Sequence, residues 1–221
     1  MYPDRNSLLY LTKNYLLLDK NHQADIIEKI QRMIFAESLN SVSFDDAITK
    51  TYFFHKLISV MDIPTIYLDF DLLYSGYVAS NILPQSDNLR LYQPSEQTWN
   101  KLLVQILDEI SKESYMIVID SLNGLYNIFT DEKDAGRLIN SFIMLLASIG
   151  QKTKSIVLIG SLAKFKKDEG WVLLAIGRHI IEINKMNRLV LQKQDSEFYL
   201  TLFDQNNSKK SSLKLSNLDL F

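Results

Sequence analysis

Three short runs constrain the fold of this chain more than any other feature: IYLDF at Ile66–Phe70, MIVI at Met116–Ile119 and IVLIG at Ile156–Gly160. Each is rich in β-branched residues and apolar on both faces. Strands of that kind belong in the middle of a parallel sheet with helices on both sides. Helical patterns lie between them. Asp45–Met61 carries Ile48, Tyr52, Phe53, Leu57 and Ile58, with Asp45 and Asp46 in the first turn, where carboxylates suit the helix dipole. Ser95–Lys112 has a stripe of Trp99, Leu102, Leu103, Ile106, Leu107 and Ile110. Ser95 suits an N-cap, while Thr98 stands where a full capping box has Glu or Gln. Asp134–Ser148 makes a third helix, with Gly150 as its stop. Strand alternating with helix predicts an α/β domain with a mostly parallel sheet and right-handed crossovers.

The rhythm changes after Gly170. Trp171–Arg178 reads as a helix turn, and Ile180–Asn184, Arg188–Gln192 and Phe198–Phe203 read as an antiparallel β-meander with turns at Lys185–Asn187 and Gln194–Ser196. Residues 205–221 are expected to be a flexible tail, although its LKLSNLDLF alternates and could pair with a sheet edge, its own or a partner's. A length of 221 residues, 47% hydrophobic and 23% charged, suits one domain, with residues 1–31 as an N-terminal extension. The longest apolar runs are too short to span a bilayer, and MYPDRNSLLY has no basic flank before an apolar stretch. A cytoplasmic protein without a membrane partner is expected. The absence of cysteine excludes disulfides, thiolate catalysis and cysteine-ligated metals. His22, His55 and His179 are scattered, so no metal site is expected. A net charge of −2 leaves nucleic-acid contact to a local basic patch.

Two strand ends carry the chemistry. In YMIVIDSLNGLYNIF, Asp120 falls at the C-terminal tip of a buried strand, where α/β folds place ligands; a cap for the following loop is the other reading. Asp69 and Asp71 flank Phe70. Alternate residues of a strand share a face, so this pair can bind a metal or share a proton, or simply solvate a strand end. Upstream, RMIFAESLNSVSFDDAITK (Arg32–Lys50) reads as an apolar strand, about eight small and polar residues, then an amphipathic helix.

The order of these segments resembles the RecA/RadA/KaiC superfamily of P-loop ATPases, especially archaeal RadA paralogues and KaiC-like proteins. The resemblance covers roughly Arg32–Phe203, and IVIDSLNGLY is its most specific part. It implies a RecA-like sheet flanked by helices, ending in an antiparallel meander. It also implies that Asp120 stands at the Walker B aspartate, which holds the Mg²⁺ water shell, and Asp71 at the catalytic glutamate, one methylene short.

Laid on G-x-x-x-x-G-K-[ST], residues Ala36 to Ser43 give the register in which Ser43 matches the Mg²⁺ hydroxyl. Ala36 and Ser41 then replace the glycines, and Val42 replaces the lysine. Glycines let such a loop bring its N–H groups to phosphate, and the lysine neutralises the β and γ oxygens. The expectation is a pseudo-ATPase with no catalytic residues and no cofactor, keeping Ser43, Asp71 and Asp120 as a vestigial nucleotide and Mg²⁺ site. The family's DNA-facing loop is similar in position to SLAKFKKDEG, so Lys164, Lys166 and Lys167 around Phe165 are nucleic-acid candidates, with Lys152 and Lys154 widening the patch. Implied partners are a RecA-like protein or further copies of this chain in a ring, filament or dimer, and single-stranded DNA or tRNA. The implied roles are an accessory subunit in recombination or repair, an Elongator-like ring subunit in tRNA modification, or a weak KaiC-like ATPase or nucleotide sensor.

Overall fold

The three apolar runs are adjacent in space. In the computed structural model, which describes residues 24–35, 39–129, 132–166, 170–173, 186–195, 197–204, 206 and 208–215, they form β2 (Thr65–Asp69), β4 (Met116–Asp120) and β5 (Ile156–Lys166). Every residue of β2 and β4 is buried, as expected of strands covered on both faces. The remaining strands are β1 (Leu39–Phe44), β3 (Leu89–Tyr92), β6 (Gly170–Leu173), β7 (Met186–Gln194), β8 (Glu197–Phe203) and β9 (Lys209–Leu215). Their order is β3-β2-β4-β5-β1-β7-β8-β9, with β6 paired to β5. Pairing is parallel from β3 to β7 and antiparallel at β7–β8, β8–β9 and β5–β6.

Helix α1 (residues 24–35) and α2 (Ala47–Met61) cover one face of the sheet. There Ile26, Ile34, Phe53, Phe54, Leu57 and Ile58 pack on Val42, Phe44, Tyr67, Val118 and Leu158. The ring centroid of Phe44 lies 5.6 Å from that of Phe53 and 5.4 Å from that of Phe54. Helices α4 (Glu96–Ile110) and α6 (Ala135–Thr153) cover the other face, setting Trp99, Ile106, Ile110, Ile139, Phe142, Ile143 and Leu146 on Ile66, Leu68, Ile117, Ile119, Val157 and Ile159. Two short helices, α3 (Leu73–Ala79) and α5 (Leu122–Ile128), follow the tips of β2 and β4. Among the described residues no helix is long and apolar enough to cross a membrane.

Several elements depart from the sequence reading. RMIF is helical rather than a strand, because Ile26, Ile30 and Ile34 recur every four residues and bury one stripe in the core. Residues 24–31 of helix α1 therefore lie within the stretch assigned to an extension. The central strand is instead LNSVSF, whose polar residues masked it. Asn40 and Asn187 are buried beside each other, and Asn187 Nδ2 donates to Asn40 Oδ1 and to the Met33 carbonyl, both at 2.9 Å. This amide bridge ties β1, β7 and α1 together.

Gly150 does not end α6, which runs three residues further to Thr153 and is capped by Lys154 in the left-handed region at φ 61°. A Cβ on Gly150 would lie 2.9 Å from the Ser155 carbonyl oxygen, so the glycine admits the chain returning into β5. Thr98 does reach back, its Oγ1 accepting from Ser95 N at 3.0 Å. Trp171–Leu173 belongs to β6 rather than a helix turn, because it has a hairpin partner in β5. Met186 and Asn187 extend β7 rather than forming a turn, since β1 pairs with them. The strand expected at Ile180–Asn184 lies outside the described residues. Lys209–Leu215 of the expected tail forms β9, which the alternation of its last residues docks on β8.

Candidate functional site: a lysine between two strand-end carboxylates

The link between β1 and α2 is two residues long, Asp45 and Asp46. Asp46 is the N-cap of α2, with extended backbone (φ −142°, ψ 156°), and its Oδ1 accepts from Thr49 N at 2.7 Å. A protein carboxylate thus occupies the first-turn amide that a phosphate would use. The eight-residue loop expected over Ala36 to Ser43 is not there, because Leu39–Phe44 is strand. Ser43 accordingly sits inside β1, with its Oγ 3.4 Å from Ser161 Oγ.

Anchoring the motif on the helix changes its register. Phe44 to Thr51 then falls on G-x-x-x-x-G-K-[ST], with Lys50 and Thr51 at the lysine and hydroxyl positions and Phe44 and Thr49 at the glycines. The sequence reading missed both. The signal was available: a Lys-Thr pair seven and eight positions into the motif, just after an alternating strand. Thr51 Oγ1 donates to the Ala47 carbonyl at 2.9 Å, which absorbs the hydroxyl into the helix backbone.

The Lys50 side chain has no solvent exposure. Its ammonium pairs with Asp71 Oδ2 at 2.6 Å and with Asp120 Oδ1. Gly160 makes room for it: a Cβ there would lie 2.7 Å from Phe54 Cε2 and 3.5 Å from Lys50 Cδ. On the other oxygen of the Asp120 carboxylate, Tyr67 Oη donates to Oδ2 at 2.5 Å. Gly124 of α5 closes the site, because a Cβ there would be 2.6 Å from both Asp71 Oδ1 and Phe70 Cβ.

Asp69 and Asp71 do not act as a pair. Strand β2 ends at Asp69, so the two-residue repeat stops there and the carboxylates diverge. Asp69 Oδ2 accepts from Ser75 N at 2.7 Å and Ser75 Oγ at 2.5 Å, holding α3. Asp71, at 27% exposure, turns to Lys50. Asp69 and Asp120 are register neighbours on β2 and β4. Tyr74 stacks on Tyr67 with centroids 4.4 Å apart, and its hydroxyl lies 3.0 Å from His55 Nδ1.

Burial dominates the titration of this centre. It pushes Asp120 up to about 6, against the Lys50 charge and the hydrogen bonds from Lys50 and Tyr67. Burial also works against a charged Lys50, yet Asp120 and Asp71 together outweigh it and raise the ammonium above its ordinary value. Tyr67 is held well above the usual phenol range by burial and then by Asp120. Burial, then Lys56, lowers His55. The pair is therefore ionised at neutral pH, a lysine cation satisfied from within the protein. Among the described residues no group of three or more His, Asp or Glu side chains is placed to hold a metal.

Among the described side chains, Lys152 and Lys154 lie at the opposite end of β5 from Lys164. Lys164 is exposed near the C-terminal end of β5, and Lys166 belongs to the hairpin with β6. Lys167 lies outside the described residues. Lys152 and Lys154 are exposed before the start of β5. A strand rises roughly 3.3 Å per residue, so about 30 Å separates Lys154 from Lys164.

A mostly parallel sheet with helices on both faces, antiparallel strands at its end and a lysine helix beside the central strand defines a RecA-like fold. Among solved structures the chain is similar to a RadB recombinase: TM-score 0.56, 13% sequence identity, covering 86% of this chain and 93% of that one. No protein-family model and no curated protein matches the sequence.

Proposed function

We propose that this chain is a non-catalytic RecA-like subunit that assists recombination or repair by binding a recombinase partner or single-stranded DNA. The observation that carries the reading is the burial of Lys50 between Asp120 and Asp71 beside a two-residue β1–α2 link. Phosphate binding of the P-loop kind needs a run of free backbone N–H groups and a free lysine. Here Asp46 caps the helix and two carboxylates take the ammonium, so protein anions stand where nucleotide phosphates would. The likeness in fold to a RadB recombinase supports the choice of recombination.

Calorimetry with Mg-ATP at millimolar concentration tests the first half: no heat is expected. Gel shifts test the second, with single-stranded DNA expected to bind ahead of tRNA; the reverse order would favour an Elongator-like role. The Lys50–Thr51 pair favours one rival, a weak nucleotide sensor in which ligand phosphate displaces Asp71. Saturable Mg-ATP binding that Lys50→Met removes would establish that rival instead.

A further inference from the structure

On the face of the sheet opposite Lys50, a cleft of about 420 Å³ opens between α4, the end of α5 and the start of α6. Its wall is an aromatic cluster: the Trp99 centroid lies 5.9 Å from Phe129 and 4.9 Å from Phe142, both edge-on. The charged residues lining it are Glu96 and Glu132. Neither carboxylate has an ion-pair or hydrogen-bond partner among the described residues. Glu96 stands in the first turn of α4, where the helix dipole favours it in any case. Glu132 lies two residues before the Asp134 cap of α6.

The lip is apolar. Leu138 lines the cleft at 46% exposure, and Leu145, two turns further along α6, is 44% exposed. A cleft of this volume holds one or two large side chains, and exposed Leu145 lies about 10 Å beyond Leu138 along α6, further contact that a segment of chain can cover. An anionic occupant would meet two unpaired carboxylates, whereas a cation beside an apolar anchor would satisfy both halves of the lining.

We propose that this cleft docks a short segment of a partner protein presenting an aromatic or aliphatic anchor next to a lysine or arginine. The proposal goes beyond the accessory-subunit reading and stands apart from it, since the cleft and Lys50 lie on opposite faces of the sheet.

The test is selection of displayed random dodecapeptides on the full chain, followed by fluorescence anisotropy with the labelled winner. Enriched peptides should pair an apolar anchor with a basic residue. Glu132→Lys should weaken binding about tenfold or more, and Glu96→Lys in the same direction. Leu138→Asp should abolish it, and Asp108→Lys, on the exposed far part of α4, should leave it unchanged. Circular dichroism melts confirm that each variant folds. Failure to enrich any peptide, enrichment of peptides without a basic residue, or undiminished binding to Glu132→Lys would each overturn the proposal. Self-association lost in Leu138→Asp, with no peptide enriched, would also overturn it, in favour of a second copy as occupant.

Discussion

Lys50 and Asp120 form an ion pair at the tip of β4 in which neither side chain reaches solvent. Buried charges of this kind are costly to separate, because removing one partner leaves the other desolvated and uncompensated. Lys50→Met should therefore lose about 3–5 kcal/mol. The double variant Lys50→Met/Asp120→Asn should recover a large part of that loss, since it leaves no charge at the pair itself. Urea denaturation of the four proteins measures the coupling. A double variant that loses the sum of the two single losses would mean that the two charges do not depend on each other.

Asp120 should titrate near 6 rather than near its ordinary 3.8. Because the folded value is raised, the folded state binds this proton more tightly than the unfolded chain does. The contribution is fully present below the ordinary carboxylate value and falls as pH rises through about 6. Carboxyl ¹³C shifts report the titration directly. Asp120→Asn should remove this component of the stability–pH slope between those two values. In Lys50→Met the midpoint should move higher still, since the lysine charge is what opposes burial.

Gly160 should tolerate no side chain. Gly160→Ala places its methyl 2.7 Å from Phe54 Cε2 and against the Lys50 stem. A loss of about 1–3 kcal/mol is expected, the range for overpacking a filled core. A compensating Phe54→Leu should restore part of it, which thermal melts would show; no restoration would place the strain elsewhere.

Asn187 joins three elements through one amide, so Asn187→Ala should cost about 1–3 kcal/mol by removing the hydrogen bonds it donates to Asn40 Oδ1 and the Met33 carbonyl. Hydrogen exchange should accelerate first in α1 and along β7. Unchanged protection of α1 would show that the helix is held by its isoleucines alone.

The central strands were legible because β2, β4 and β5 are buried on both faces, and a strand without a polar side declares itself by composition. The partner strand β1 was not. It holds Asn40 and Ser43, whose polar groups find neighbours only after β5, β7 and α1 have assembled around them. The same holds for Gly150, which looked like a helix stop and instead serves a close approach by Ser155.

Asp120 was placed at a strand tip from its four preceding apolar residues, and the strand indeed ends there. Lys50 was overlooked because a lysine in an amphipathic helix ordinarily faces water. The amino-acid pattern alone determined the layering: parallel strands, covering helices and acids at the strand ends, all of which follow from local periodicity. Tertiary structure alone decided that the acids at β2 and β4 meet a lysine from α2, because the pairing depends on sheet order and on burial. A charge is driven to a partner only once the fold has taken both away from water.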